Sequence, residues 1–450
     1  MPPAETLRDA RLGSRAQLIG RRGRVNPAQT GRAIDADLSG AHVLLRTSDQ
    51  MHAALALIEL DGVAARIVIC PPDVKPQHLP PVIRQAGVDV VVSDDPALAV
   101  KGLRFAAVHS PSPGEAVMPP HQTEWILFTS GTTGAPRMVA HTLAGLTGAI
   151  QPALSPDVVW GTFYDIRRYG GMQILLRALL GQASLVLSDA HEDVADFLVR
   201  LGANGVTHLT GTPSHWRRAL MSPAHAVIHP RYVRLSGEIA DQAILDGLKA
   251  RFPDAAIGHA YASTEAGVGF EVTDGLEGFP SSFIARPGAV EMKVENGTLH
   301  IRSPRTASEY VGGLASESGP TKKPLLTDGW VDTTDMVELR GERYHFAGRT
   351  GGIINVGGLK INPEEVEAVI NGHPGVRASR VSGRKSPITG SIVVAEIVAA
   401  NDNATLKEEI LALCREKLPA FKVPAMLRFV PALELTAGGK LSRQEAGRHA

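Results

Sequence analysis

The chain has 450 residues, 44% apolar and 5% aromatic, with 46 basic residues against 46 acidic ones. That balance gives no electrostatic footprint for nucleic acid or an anionic membrane surface, and no apolar run approaches the roughly 18 residues a membrane span needs. The length predicts at least two domains, and the two cysteines, Cys70 and Cys414, fit neither a disulfide framework nor a thiolate metal site, so a soluble protein of a reducing, cytoplasmic compartment is expected.

The N-terminal segment carries Arg8, Arg11, Arg15, Arg21, Arg22 and Arg24 but also Glu5 and Asp9, and it lacks an apolar core. It reads as a solvated lead-in rather than a targeting segment. From Ala41 the pattern becomes regular: "AHVLLRT" as a strand, "DQMHAALALIELDG" at helical spacing, "ARIVIC", a helix around "LPPVIRQAG", then "VDVVVSD". Strands alternating with helices predict crossover units on a largely parallel sheet. At Trp125–Phe128 an apolar run enters "TSGTTGAPR", Thr129 to Arg137, whose glycines and hydroxyls suit a loop around a phosphate.

Three further helix-to-strand steps follow: "QILLRALLGQ" into "ASLVLSD", "HEDVADFLVRLGAN" into "VTHLTGTP", and "ILDGLKARFPDA" into "AIGHAYAST". The last strand ends in "YASTEAG", placing Tyr261, Thr264 and Glu265 at a strand's C-terminal end, the edge where open α/β sheets bind ligands. Between about Ala289 and Phe346 short strands with turn residues take over, including "TDGWVDTTDMVEL" with Asp335. After Arg349 a compact α+β set begins: "GGIINVGGLKI", a helix in "PEEVEAVINGH", "GSIVVAEIVAA", a helix in "ATLKEEILALCREKL", and a Gly-rich tail with Lys440. The expected fold is therefore α/β: a large N-terminal domain (1–348) of mostly parallel sheets with helices and a small β part, then a small α+β domain (349–450). The glycines of "GRTGG" suit a hinge near Arg349–Gly352. Sixteen histidines show no metal-ligand spacing; His191 in "HED" lacks a second histidine one turn on.

Taken together these stretches resemble the adenylate-forming superfamily of acyl-CoA synthetases, peptide-synthetase adenylation domains and luciferases, with acyl-CoA synthetases the nearest. "TSGTTGAPR" matches its phosphate loop except for Arg137 in place of lysine, and "YASTE" matches its Tyr-Gly-x-Thr-Glu motif with Ala262 for glycine. Asp335, Arg349 and Lys440 stand where the family has its ribose-binding Asp, its interdomain Arg and its catalytic C-terminal Lys. The resemblance covers roughly residues 40–450 and implies an active site in the cleft between a large domain and a swinging small one.

It implies that a carboxylic acid is activated with ATP to an acyl-adenylate, with pyrophosphate leaving, and then passed to the thiol of CoA. Thr129, Ser130, Gly131, Thr132, Thr133 and Gly134 would hold the β/γ-phosphates with Arg137 nearby, and Glu265 would hold Mg²⁺. Thr264 would contact the α-phosphate, Tyr261 would stack on adenine, and Gly237 and Glu238 would add nucleotide contacts. Asp335 and Arg349 would grip the ribose. Lys440 would cancel charge building in the transition state. Gly357, Gly358 and Lys360 fall on the thiol side, and the acid gate falls within Arg167 to Tyr169. The Arg167–Arg168 pair there would meet a second carboxylate or face solvent, the commoner place for arginine and the expectation taken here. Asp165 lies about four residues out of register for binding an amino acid's amine.

Residues 1–40 form a shorter lead-in than the family's, and the hinge position holds Gly351 instead of Asp or Lys. Ten residues follow Lys440, so the thiol acceptor is expected from outside the chain. A separate carrier protein in place of CoA, and a non-catalytic nucleotide-binding relative, are the alternatives. A P-loop NTPase fails for want of G-x4-G-K-[ST].

Overall fold

The computed structural model describes residues 6–7, 16–29, 31–112, 121–129, 137–151, 157–284, 286–312, 322–325, 327–356, 358–386, 390–400 and 404–443. The first sheet has nine strands in the order Lys322–Pro324, Glu309–Val311, Arg137–Thr142, Glu124–Thr129, Arg66–Ile69, His42–Leu45, Val90–Ser93, Arg104–Ser112 and Arg32–Ile34. Its five strands from Glu124–Thr129 to Arg104–Ser112 run parallel. Runs such as Val90–Ser93 are buried at every position, the pattern of a parallel strand covered on both faces.

The second sheet has eight strands, ordered Gly267–Val272, Ala256–Ser263, Tyr232–Ser236, His208–Gly211, Val159–Thr162, Ser184–Val186, Leu18–Ile19 and Arg24–Val25. The six between the two outermost are parallel. Helix Tyr169–Leu180 shares one hydrophobic cluster with Val43, Leu45, Ile67 and Leu127 of the first sheet and Leu185 of the second. It fills the space between the two sheets, which is why nine of its residues are buried.

Both sheets change strand direction of growth beside this helix. Val159–Thr162 has Ser184–Val186 on one side and His208–Gly211 on the other, and His42–Leu45 lies between Arg66–Ile69 and Val90–Ser93. Such switch points open crevices at the strands' carboxyl ends. Here they are tied together: Arg167 donates from Nη1 to the carbonyls of Thr47 (2.5 Å) and Ser48 (3.1 Å), while Gln50 donates to the Ser188 carbonyl and accepts from the Ile166 amide.

A third, antiparallel sheet of five strands carries Val331–Arg340 and Arg343–Arg349. Beyond it, residues 354–429 enclose a core of their own, built on Ile361, Val366, Ile370, Val381, Ile397 and Ile410. A hairpin (Ile354–Val356, Leu359–Ile361), a three-stranded sheet (Val376–Ser386, Gly390–Ala399, Met426–Phe429) and helices Pro363–Asn371 and Leu406–Lys417 make up this part. The α/β class expected from the sequence is the one observed. Helix Pro213–Met221 and strands Arg32–Ile34 and Val376–Ser386 were not read from it. Among the described residues no helix is long and apolar enough to cross a membrane.

Candidate active site

The carboxyl ends of the second sheet form one wall of the site. Strand His208–Gly211 leads to Thr212, which caps helix Pro213–Met221: its side chain accepts from the His215 amide while the His215 ring reaches back to the Thr212 amide. Proline at the first helical position fits because its missing N–H has no partner to lose there. Strand Tyr232–Ser236 ends at Gly237, held at φ +89, a backbone conformation that disfavours side chains. Glu238 follows, and strand Ala256–Ser263 leads into Thr264 and Glu265.

The tail closes the wall from outside. Thr436 to Lys440 forms a tight turn, with the Thr436 amide donating to the Lys440 carbonyl (2.7 Å) and the Gly439 amide to the Thr436 carbonyl (2.8 Å). Two contacts latch it, and a third fixes the Glu238 side chain that makes one of them. The Thr212 hydroxyl donates to the Gly439 carbonyl (2.6 Å), the Leu441 amide donates to Oε1 of Glu238 (2.7 Å), and Oε2 of Glu238 accepts from the Ser214 amide (2.9 Å). Gly439, at φ +72, lies so close to His215 that a Cβ there would come within 1.7 Å of the ring's Cε1. Lys440 is carried over Gly237, its Cε 3.3 Å from where a Cβ on that glycine would be. Burial, then the Arg349 charge, lower its ammonium pKa against the opposing pull of Glu238, Asp335 and Glu265.

Asp335 is nearly buried and fully engaged: Oδ2 accepts from the Tyr261 hydroxyl (2.6 Å) and Oδ1 from Nε of Arg349 (2.7 Å). The Tyr261 ring stacks with Phe346 and Phe270, at centroid distances of 5.3 and 5.6 Å, and burial drives its hydroxyl well above the usual phenol range. His141 donates from Nε2 to the Thr264 carbonyl (2.7 Å). Burial lowers its pKa to about 4, so the ring is neutral at pH 7. The Glu265 carboxylate takes no hydrogen bond among the described residues, although its backbone carbonyl accepts from the Ala307 amide (2.9 Å). Its two oxygens fit a hard cation.

Lys440, Gly237, Glu238, Glu265, Asp335, Arg349, Tyr261 and Thr264 are thus brought to one cleft. Thr129, buried, and Arg137, exposed, are paired on neighbouring strands of the first sheet, and Arg137 lies beside Tyr310. Ser130, Gly131, Thr132, Thr133, Gly134 and Gly357 lie outside the described residues. Gly358 and Lys360 are exposed positions on the Ile354–Ile361 hairpin. Arg168 pairs with Asp73 (2.5 Å) and its Cδ lies 4.0 Å from a Cβ position on Gly438, beside the Lys440 turn. Tyr169 is buried with its ring 5.8 Å from His141.

One expectation is corrected. Arg167 does not face solvent: it is 2% exposed, with Nε and Nη2 on the two oxygens of Asp165 besides the two carbonyls already described. Those four acceptors compensate its buried charge, and they occupy the Asp165 carboxylate that an amino-acid amine would need. The sequence reading also passed over Thr212 and His215. The signal for them was a Thr-Pro pair opening a helix.

A model of the AMP-binding enzyme family matches residues 38–311, and a model of the AMP-binding enzyme C-terminal domain matches residues 365–440. A 2-succinylbenzoate–CoA ligase of Listeria innocua is 27% identical over 337 residues, which cover 72% of this chain and 69% of that protein. A feruloyl-CoA synthase of an Amycolatopsis species is 27% identical over 354 residues, with the same coverage of 72% and 69%. The crystal structure of an anthranilate CoA ligase in complex with anthranoyl-AMP has the same fold, with a TM-score of 0.76 at 18% identity over 97% of this chain and 95% of that one.

Proposed function

Because the chain belongs to the family of AMP-binding enzymes, we propose that it joins a carboxylic acid to a thiol in two steps, through an acyl-adenylate, with CoA as the acceptor. In the first step the substrate carboxylate attacks the α-phosphorus of ATP and the bond to the bridging oxygen breaks, releasing pyrophosphate. In the second the thiol sulfur attacks the acyl carbon and AMP leaves.

The observation that carries this reading is the position of Lys440. A backbone turn latched by Glu238 and Thr212 holds its ammonium over Gly237, within the fields of Glu265, Asp335 and Arg349. A cation fixed there costs no reorganisation when negative charge grows on the α-phosphate, the usual source of catalysis in such transfers. Asp335, aimed by Tyr261 and Arg349, is assigned to the ribose hydroxyls, and Thr264, held by His141 through its carbonyl, to the α-phosphate. By sequence, the segment from Thr129 to Gly134 is assigned to the β/γ-phosphates with Arg137. Glu265 would hold Mg²⁺, which when bound supplies positive charge against the departing phosphates. Residues 349–450 are assigned as a swinging domain hinged at Arg349–Gly352, so that a second pose presents the thiol side, including Gly358 and Lys360.

The experiment is pyrophosphate release from ATP across a panel of acids, with CoA, with a carrier protein and with neither. Acid-dependent release and acyl-CoA formation are expected. Release followed by transfer only to a carrier-bound thiol would replace CoA as acceptor, and nucleotide binding without release under any condition would sink the reading.

A further inference from the structure

Helix Tyr169–Leu180 carries Tyr169, Gln173 and Arg177 at i, i+4 and i+8, one face of the helix and about 12 Å from first to last. Among the described residues the polar groups along this face are incompletely paired. Gln173 donates to the Leu146 carbonyl (2.8 Å), but its buried Oε1 has no partner. Arg177 reaches the Ala149 carbonyl only at 3.5 Å, and its buried Nε has none. His141, beside Tyr169, leaves Nδ1 buried and unpaired.

Two more guanidiniums reach the same region. Arg305 donates from Nη1 to the Val268 carbonyl (3.2 Å), and its Nε is buried without a partner among the described residues. Its Cγ lies 3.2 Å from a Cβ position on Gly148, next to the Ala149 that Arg177 touches. Arg234 is 6% exposed and its guanidinium makes no hydrogen bond among the described residues; its Nε is 3.6 Å from Oε2 of Glu271. Glu271 in turn accepts from the Tyr232 hydroxyl, reaching across Gly258 to do so. Burial, and next the Arg234 charge, lower the Arg177 pKa. The guanidiniums of Arg177 and Arg234 therefore meet here with Glu271 as the carboxylate they share, and Arg305 reaches in from the Gly148 side.

Arg234 stands two residues before Ser236, on the same face of the strand and about 7 Å from it along the chain, three residues before the glycine under Lys440. The cluster thus lies beneath the strand end that carries Gly237, as a floor on that side of the site. Buried, under-paired guanidiniums are costly to leave unmatched, and their planar donor pairs fit a carboxylate. We propose that this floor holds a second carboxylate of the substrate, so that the enzyme activates dicarboxylic acids in preference to monocarboxylic ones. This rests on the reading of the chain as an acid-activating ligase.

The test pairs adipate with hexanoate and isophthalate with benzoate. Pyrophosphate release and the acid-induced rise in melting temperature are measured for the wild type and for Arg234→Met, Arg177→Met and Arg234→Lys. At least one diacid should exceed its monoacid in kcat/KM, and each Met variant should lower that ratio roughly ten- to hundredfold, the effect of losing a charged hydrogen-bonded pair, with Arg234→Lys recovering part of it. Monoacids used as well as diacids by the wild type, or variants that lower both alike, overturn the proposal while leaving the ligase reading intact. A diacid that raises the melting temperature, with the rise lost in Arg234→Met and no pyrophosphate from any acid, would sink the ligase reading and keep the pocket. No response to any diacid overturns the pocket.

Discussion

Replacing Gly439 by alanine should separate the two half-reactions. In the observed pose the new methyl would lie 1.7 Å from Cε1 of His215, so the turn or the ring must move. The ring is fixed by stacking on Phe163, at 5.4 Å and 16°, and by its bond to the Thr212 amide; the turn is fixed by the Thr212 hydroxyl on the Gly439 carbonyl. Losing an aromatic contact is worth about 0.5–1.5 kcal/mol and losing a hydrogen bond about as much, so the pose that carries Lys440 into the cleft loses about 1–3 kcal/mol. At 1.36 kcal/mol per tenfold, adenylation should slow about 5- to 150-fold. Transfer from supplied acyl-adenylate to CoA, which we assign to another pose, should change little. The strain of a non-glycine residue at φ +72 belongs to the local turn and does not discriminate between poses. Single-turnover pyrophosphate release and CoA thioester formation measure the two steps, and His215→Ala in the same chain should restore part of the first. Equal losses in both steps, accompanied by a matching fall in melting temperature, would refute the reasoning, as would no loss in either.

Lys440→Ala should reduce adenylation by about 10²–10³ while sparing ATP binding and transfer from a preformed adenylate; adenylation at the native rate would remove it from the mechanism. Glu265→Gln should weaken Mg²⁺-dependent turnover far more than melting temperature, and parallel losses would make it a structural acid. At Gly351 nothing lies within 4 Å of a Cβ position, so Gly351→Pro should fold and, by fixing φ near −65°, slow thioester formation more than adenylation; a loss confined to adenylation would exclude it as a hinge. Stability should fall as pH drops below 6.5 toward 4. Burial lowers His141 and His208 to about 4 and His215 to about 3, so between those values and 6.5 the unfolded chain binds protons that the folded one does not. His215→Gln should flatten that slope in thermal melts taken across the range, and an unchanged slope would contradict the assignment.

The repeating elements were legible because apolar periodicity is a local property: "VDVVVSD" and the helix around Ile174 are specified by their own residues. Asp335 and Lys440 were found through motifs, which record chemistry rather than packing. Arg167 was misread because the fate of a buried charge depends on acceptors far along the chain, here the carbonyls of Thr47 and Ser48, and no local pattern reveals them. The latch at Glu238 was equally hidden, since one of its oxygens accepts from the amide of Leu441, 203 residues further along the chain. Arg234 did leave a trace that went unused, a charge in the middle of the apolar strand "YVRLS".

The ties made by Arg167 and Gln50 bear on how this molecule can adapt to substrates of different size. They are made of short, saturated polar contacts between the rims of two sheets, so they act as a fixed spacer: the crevice cannot widen without breaking several hydrogen bonds at once. On the proposed reading, variation in acid length is then absorbed by side-chain substitution along Tyr169, Gln173 and Arg177, successive positions about one helical turn apart, while the distance between the sheets stays constant.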